Sequence, residues 1–371
     1  MKGICCFCFY KHHTSLKMKV GILTFQFPYN YGAMLQAYAL KSYIEKKGNE
    51  TYVLPYFPVH FQQGYSISPF QAGISLKHKV YNAVTYCKKR TQVSLFEQFK
   101  DVYLYSNRER EVSEEAVISK CMKNFDIVFY GSDQIWNDLI TKGDPLYFGA
   151  KSTARKISYA ASMGTIKCSD IQKKLVAEFL PDFYKLSVRE PESQTIIDNE
   201  IHRWPELVCD PVFLKSVEEW RQIEKPVKTP EKYMLLYMLE NNRDLFEKAQ
   251  NYAQKCSLEI IEIHPSLTMR HKKTKLMRNV GPREFVYLID HAESICTNSF
   301  HCVSFSIIFK KRLLHIPNSN SPERTRSILN RVSIFISDRD YVETDLSESR
   351  DNGLIKLIET SKQFLEDALS D

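Results

Sequence analysis

The stretch Met18-Lys-Val-Gly-Ile-Leu-Thr-Phe25, followed at once by Gln26-Phe-Pro-Tyr-Asn-Tyr-Gly-Ala-Met34, is the part of the chain from which the fold is read. Its first half is an apolar run of strand length without alternation, as a strand buried on both faces requires. Its second half is polar and aromatic and leads into an amphipathic helix pattern from Ala33 to Lys47. A buried strand that runs through a loop into a helix is the repeating unit of a parallel α/β sheet.

The unit recurs along the chain. Strand-like runs stand at Thr51–Tyr56, Asp126–Gly131, Lys156–Ala161, Lys185–Val188 and Glu206–Cys209, with helix patterns at Glu111–Lys123 and Ser169–Phe179 between them. Pro58 to Thr91 is polar and basic and reads as a long loop carrying one helix. Around residues 215–232 the pattern weakens, and Pro226, Pro230 and a run of charges read as a connector. A second alternation follows: strands Tyr233–Leu239, Glu259–His264, Ser294–Thr297 and Leu313–Ile316, and helices Arg243–Cys256, Arg283–His291, Phe300–Lys310 and Glu323–Arg331. The expected organisation is a leader at 1–17 (disordered, or an upstream start), a domain at 18–214, the connector at 215–232, a domain at 233–346 and a packing helix within 347–371. Two α/β halves of similar size imply a cleft between them.

Composition agrees with a folded two-domain protein. A chain of 371 residues with 43% hydrophobic and 26% charged residues exceeds what one ordinary core serves, and disorder and fibrous repeats are excluded. No run approaches the roughly 18 apolar residues of a membrane span. None of the 12 glycines forms a Gly-x-Gly, so neither a dinucleotide fingerprint nor a Walker loop is present. The net charge of +7 is uneven: residues 338–371 hold ten acids and four bases, which leaves +13 on the remainder. That balance suits an anionic small molecule or an anionic membrane surface. Nucleic acid is not expected as a partner, because no recognition helix or aromatic platform is evident. Of the ten cysteines, Cys87, Cys121, Cys168, Cys209, Cys256, Cys296 and Cys302 are scattered and read as buried thiols of a cytoplasmic protein, and Cys5, Cys6 and Cys8 with His12 and His13 fit no common zinc spacing, so no metal is expected.

Ligands of open parallel sheets sit at the carboxyl ends of strands, where helices begin, so chemistry is sought in four loops. In Gln26–Met34, Asn30 and Gly32 stand at a helix start that can dock an anion or a sugar hydroxyl, or is simply an Asn cap with an easy turn. In Gly131–Asn137, four polar side chains and an indole follow a buried strand, which is costly unless they meet a ligand or one another. Asp133 and Asn137 offer acceptors for sugar hydroxyls there, and Trp136 a flat stacking face. In Ser187–Glu190, Arg189 can hold a carboxylate or phosphate through two N–H groups, or pair with Glu190 or Asp210. In Thr297–His301, His301 falls in the first turn of an apolar helix, where it suits a general acid or base facing the cleft.

Asn30-Tyr-Gly-Ala-Met-Leu-Gln-Ala-Tyr38, Gly131-Ser-Asp-Gln-Ile-Trp-Asn137, Ser187-Val-Arg-Glu190 and Asn298-Ser-Phe-His301, in this order, resemble the polysaccharide pyruvyl transferase family. The resemblance spans roughly residues 18 to 331, and the Gly-Ser-Asp-Gln-x-Trp-Asn element is its most specific part. It implies an α/β fold of the GT-B glycosyltransferase kind, with two Rossmann-like domains facing across a cleft and a C-terminal packing helix. It also implies a transferase that moves the pyruvyl group of phosphoenolpyruvate onto two hydroxyls of one sugar. The product is a cyclic ketal made during capsule, exopolysaccharide or cell-wall polymer synthesis. No cofactor is implied beyond the donor. The acceptor in such families is often lipid-linked, which would put a cytoplasmic enzyme at the periphery of the inner membrane surface.

By the same resemblance His301 is the acid that protonates the enol, and Arg189 binds the donor's phosphate or carboxylate. Asn298 and Ser299 fall on the donor side, and Tyr29, Asn30, Gly32, Asp133, Gln134, Trp136 and Asn137 on the acceptor side. One position departs: the family commonly has Arg two residues before the His, where this chain has Ser299. Arg324, Arg326 and Lys310 are the candidates to supply that charge. Two other readings stand beside this one. A GT-B glycosyltransferase would offer a carboxylate, Glu262 or Asp290, to a nucleotide ribose. A non-catalytic saccharide-binding relative would have kept the fold and lost the reaction. The acceptor sugar, the ketal stereochemistry and the oligomeric state are not legible.

Overall fold

The computed structural model describes residues 17–65, 76–105, 111–164, 167–264, 271–336 and 340–370. The expected leader, apart from Lys17, lies outside them.

The first sheet is wholly parallel and is built from β1 (Lys19–Leu23), β2 (Glu50–Val53), β3 (Ile127–Tyr130) and β4 (Arg155–Ser158), in the order β2-β1-β3-β4. All four residues of β3 are buried, because helices cover both faces. β5 (Ser187–Val188) and β6 (Glu206–Leu207) pair in parallel and join β4 through bridges at Ile157–Lys185 and Ala161–Val188. The second sheet holds β7 (Tyr233–Tyr237), β8 (Glu259–Ile263), β9 (Lys275–Met277), β10 (Ser294–Thr297), β11 (Arg312–His315) and β12 (Val342–Asp345). Its order is β12-β11-β10-β7-β8-β9, parallel except for β12 against β11.

The expected strands all form, and several end earlier than their apolar runs. Thr24 and Phe25 stay buried beyond β1 because the chain remains covered as it turns into the cleft. β9 and β12 carry no apolar run: both are short edge strands of mixed polarity. The region 58–91 is more helical than read. It contains Val59–Tyr65 and the start of a long helix, Leu76–Phe99, anchored at its far end by buried Phe96 and Phe99. Its Lys and Arg residues are good helix formers, and their charge hides the periodicity. The connector also has structure: a short helix, Val217–Arg221, is capped reciprocally by Ser216 and Glu219. It buries Trp220, whose indole N–H donates to Val212 O at 3.0 Å.

The two halves are not merely neighbours. Tyr31, in the first helix (Tyr31–Lys46), stacks on Phe285 of the second half with centroids 4.4 Å apart, and its hydroxyl donates to Val280 O at 3.1 Å. Buried aromatics of both halves thus share one core, which fixes how the carboxyl ends of β1 and β10 face each other. The last helix, Asn352–Ser370, returns to the first half: Ser361 Oγ accepts the Cys209 N–H at 2.8 Å, and Lys47 meets Glu366 at 2.5 Å. No described helix is long and apolar enough to cross a membrane.

Candidate active site

All four loops converge between the sheets. β10 delivers the chain to Ser299, and the helix Phe300–Ile308 starts there, so His301 sits in its first turn and points back at the first half. Opposite stands Gly32, at the start of the helix Tyr31–Lys46. A Cβ placed on Gly32 would lie 2.8 Å from His301 Cβ and closer still to the imidazole. The ring rests directly on the glycine, and no larger residue fits beneath it.

The other side of the ring meets Asp210, a fully buried carboxylate just after β6. Asp210 Oδ2 lies 3.5 Å from His301 Nε2 and accepts from Arg189 Nη1 at 2.7 Å and Ser132 Oγ at 3.3 Å. Burial alone would raise the Asp210 carboxyl, but His301 and Arg189 more than offset this and hold it well below the usual carboxylate range. Arg189 Nε donates to Glu190 Oε1 at 2.7 Å. Burial disfavours its charge, and Glu190, Asp210 and Asp133 outweigh that and raise it.

Arg324 enters from the helix Pro322–Arg331 of the second half. Its guanidinium carbon is 4.9 Å from the Phe300 ring centre, and that of Arg189 is 4.4 Å from the same ring. Arg324 Nη2 stands 3.7 Å from Asp133 Oδ1, and its Nε 3.9 Å from Glu190 Oε1, both too far for good hydrogen bonds. Burial, then the neighbouring Arg189, push its pKa down, so its charge is under-compensated. Four buried atoms here have no hydrogen-bond partner: Arg189 Nη2, Glu190 Oε2, His301 Nε2 and Arg324 Nε. Each such group ordinarily costs about 1–3 kcal/mol, and a cluster of them beside a hollow is what a polar ligand would relieve.

Two adjoining hollows open at this point. An inner one of about 160 Å³ is lined by Asn30, Asp133, Ser299, His301 and Arg324 against Phe25 and Phe27. An outer one of about 490 Å³ shares Gln134, Phe300 and Arg324 with it.

Of the residues singled out in sequence, His301, Asn30, Asp133, Gln134, Asn137, Asn298, Ser299 and Arg324 line one or both hollows. Others are placed differently. Trp136 is 0% exposed, donates to Tyr147 O at 3.0 Å and stacks on Phe148, so it is core and offers no face to a sugar. Tyr29 lines neither hollow and packs edge-on against Phe96, beside Lys100. Lys310 lies beyond the end of its helix and just before β11, at the amino end of that strand and so away from the cleft, paired with Asp351. Arg326 pairs with Glu192 at 3.1 Å, outside both hollows. Asn298 spends its amide on the backbone, accepting from Leu239 N at 2.7 Å and donating to Glu240 O at 2.8 Å. Asn30 caps its helix through Ala33 N at 3.2 Å, and Asp133 belongs to the arginine cluster. Arg189 lies under Phe300 and makes both ion pairs named as alternatives, with Glu190 and Asp210.

Asp210 was not read as a site residue. It was named only as a possible ion-pair partner of Arg189, and its contact with His301 joins residues distant in sequence. Glu262 is buried and takes His271 N at 3.1 Å and Thr274, while Asp290 pairs with Arg221 at 2.7 Å, so neither carboxylate reaches the cleft.

The fold resembles those of sugar-nucleotide enzymes. A Listeria monocytogenes protein described as a UDP-N-acetylglucosamine 2-epimerase matches at 9% identity and TM-score 0.50 over 96% of this chain and 90% of that one. The UDP-GlcNAc 2-epimerase of Methanocaldococcus jannaschii matches at 12% identity and TM-score 0.49 over 96% of this chain and 100% of that one. The Streptomyces nogalater glycosyltransferase SnogD matches at 10% identity and TM-score 0.44 over 95% and 96%. At such identities the likeness concerns the fold, two Rossmann-like halves, and nothing of the chemistry. No curated protein sequence gives a match. The family model described as polysaccharide pyruvyl transferase matches residues 30–320. Matched over most of its length, and carrying each of the four loops at the mouth of one cleft, the chain belongs to the polysaccharide pyruvyl transferase family.

Proposed function

We propose that the protein transfers the pyruvyl group of phosphoenolpyruvate to two hydroxyls of one sugar, forming a cyclic ketal in polysaccharide biosynthesis. One observation carries this reading: His301 and the under-compensated Arg324 line the same small hollow, with Arg189 and Asp210 behind them.

In the proposed reaction His301 gives a proton to the methylene carbon of the enol, which becomes the methyl group. The adjacent carbon, now oxocarbenium-like, takes a sugar hydroxyl, whose proton returns to the imidazole. The imidazole then delivers that proton to the leaving phosphate as the carbon–oxygen bond breaks, and the second hydroxyl closes the ring and gives its own proton back to the imidazole. Donor and diol become ketal and inorganic phosphate, and the balance needs no cofactor. Arg324 holds the donor's anionic end, Arg189 adds positive potential beneath Phe300, and Asp210 beside Nε2 together with Gly32 beneath the ring fixes how the imidazole of His301 faces the hollow.

The test is acceptor-dependent phosphate release from phosphoenolpyruvate, read with a mass gain of pyruvate less water on p-nitrophenyl hexosides. His301→Ala should lower kcat by roughly 100- to 10,000-fold. Full activity in that variant would remove the assigned role. Thermal stabilisation by nucleotide sugars and not by phosphoenolpyruvate would favour a glycosyltransferase instead.

A further inference from the structure

Lys215 stands where the first half hands over to the connector and takes no part in the proposed reaction. Its side chain is only 5% exposed and lines a hollow of about 300 Å³ between the first helix, the connector and the last helix. Ser42 and Lys46, which also line it, belong to the far end of the helix that begins under His301. About 15–20 Å of helix therefore separates this hollow from the cleft.

The Lys215 amine is short of counter-charge. Its Nζ donates to Ser42 Oγ at 2.9 Å and lies 4.7 and 5.9 Å from the ring centres of Tyr38 and Trp220. Its ion pair with Glu219 is long, at 3.8 Å, because that carboxylate is engaged elsewhere: Oε1 by Lys46, and Oε2 by the Ser216 N–H at 2.8 Å. Two other carboxylates nearby are also taken, Glu45 by Lys41 at 2.5 Å and Glu366 by Lys47 at 2.5 Å. Burial, then the neighbouring Lys46, outweigh Glu45 and push the Lys215 pKa down to about 8. Desolvation and an adjacent cation are the two conditions that turn a lysine into a nucleophile. At neutral pH roughly a tenth of such amines are uncharged, against well under about 0.1% of ordinary lysines. The rim, meanwhile, is basic: exposed Lys46, Lys47 and Lys362 outnumber Glu219 and Glu366 there.

We propose that Lys215 is a nucleophilic lysine and that its hollow is a modification site, where small anionic acyl donors of the acyl phosphate kind acylate it. The rim lysines draw the dianion in, and the uncharged amine waits at the floor. The nitrogen attacks the carbonyl carbon, the bond from that carbon to the phosphate oxygen breaks, and the nitrogen's proton passes to the departing phosphate. Amine and acyl phosphate become amide and inorganic phosphate. The amide carries no charge, so the tie from the connector to Ser42 and Tyr38 loses its ionic part. The site is independent of the transferase reading.

The experiment is acetylation of the full chain by limiting acetyl phosphate between about pH 6 and pH 10, with occupancy at each lysine read by peptide mass spectrometry. Uncharged N-hydroxysuccinimidyl acetate is run in parallel. With acetyl phosphate, Lys215 should react at least about tenfold faster at pH 7 than the exposed Lys120 and Lys356, and its rate should level off above about pH 8 while theirs still climb. The uncharged reagent should show a smaller preference. Lys47→Gln combined with Lys362→Gln, both exposed, should slow acetyl phosphate at Lys215 about threefold and leave the uncharged reagent within about 1.5-fold. Acetylation of Lys215 no faster than of Lys120 and Lys356, or a rate still rising at pH 10, overturns the proposal. Equal preference with both reagents, or no effect of the double variant, overturns its assignment to anionic donors.

Discussion

His301 occupies the space that a side chain on Gly32 would fill: the imidazole of one half lies on the bare backbone of the other. The glycine is there because a histidine from the opposite half must reach past a helix start to the hollow. Gly32→Ala should displace the ring by about an ångström and cost roughly 100-fold in kcat, with the melting temperature changed by only a few degrees. Phosphate release and a thermal melt on the same preparation check this, and a variant with full kcat would show that the contact does not position the ring.

Asp210 joins the two halves electrostatically, since its Oδ2 faces both Arg189 and His301. Asp210→Asn leaves a buried guanidinium short of one charge, and removing a partner from a buried pair typically costs about 3–5 kcal/mol. The carboxyl is held below its unfolded pKa, so its contribution is present above about pH 4 and disappears on further acidification. Urea denaturation should therefore find the wild type ahead of the variant at pH 7, with the gap narrowing below pH 4.

Arg324, Arg326 and Lys310 were equivalent candidates for the charge missing at Ser299, and only Arg324 lines the hollow. Arg324→Ala should raise the phosphoenolpyruvate KM by roughly 10- to 100-fold, the worth of one charge-assisted contact. Arg326→Ala and Lys310→Ala should stay within about twofold. Steady-state kinetics on the three variants decides, and equal effects in all three would mean that the charge acts at long range.

His315 ends β11 fully buried, with Nδ1 2.9 Å from Thr297 O, and burial pushes its pKa down to about 4. The folded chain keeps it neutral while the unfolded chain takes a proton near pH 6.5, so this stability is complete above about pH 6.5 and falls as pH drops toward 4. Between pH 7 and pH 5 the loss amounts to about 2 kcal/mol. Urea midpoints at pH 7, 6 and 5 should trace it, and His315→Gln should flatten that slope.

The cleft loops were legible because polar residues directly after a buried strand are expensive unless they meet something, and four such loops follow strands of this chain. Gly-Ser-Asp-Gln-x-Trp-Asn marked a loop that reaches the cleft, but the indole misled: Trp136 has both a hydrophobic body and one N–H, and the core satisfies both through Phe148 and Tyr147 O. The helix Leu76–Phe99 was hidden for the opposite reason, since its charges mask its face, and the buried aromatics among its described residues, Phe96 and Phe99, stand at its end.

Local pattern was enough to establish the strand–loop–helix order, the two halves and the histidine in its helix turn, because burial and capping act over a few residues. Which side chains share a carboxylate, which of three cations enters the hollow and why residue 32 is glycine were settled by packing across the cleft. Those relations link positions such as 210 and 301, or 133 and 324, and contacts at that separation leave no periodic trace in the chain.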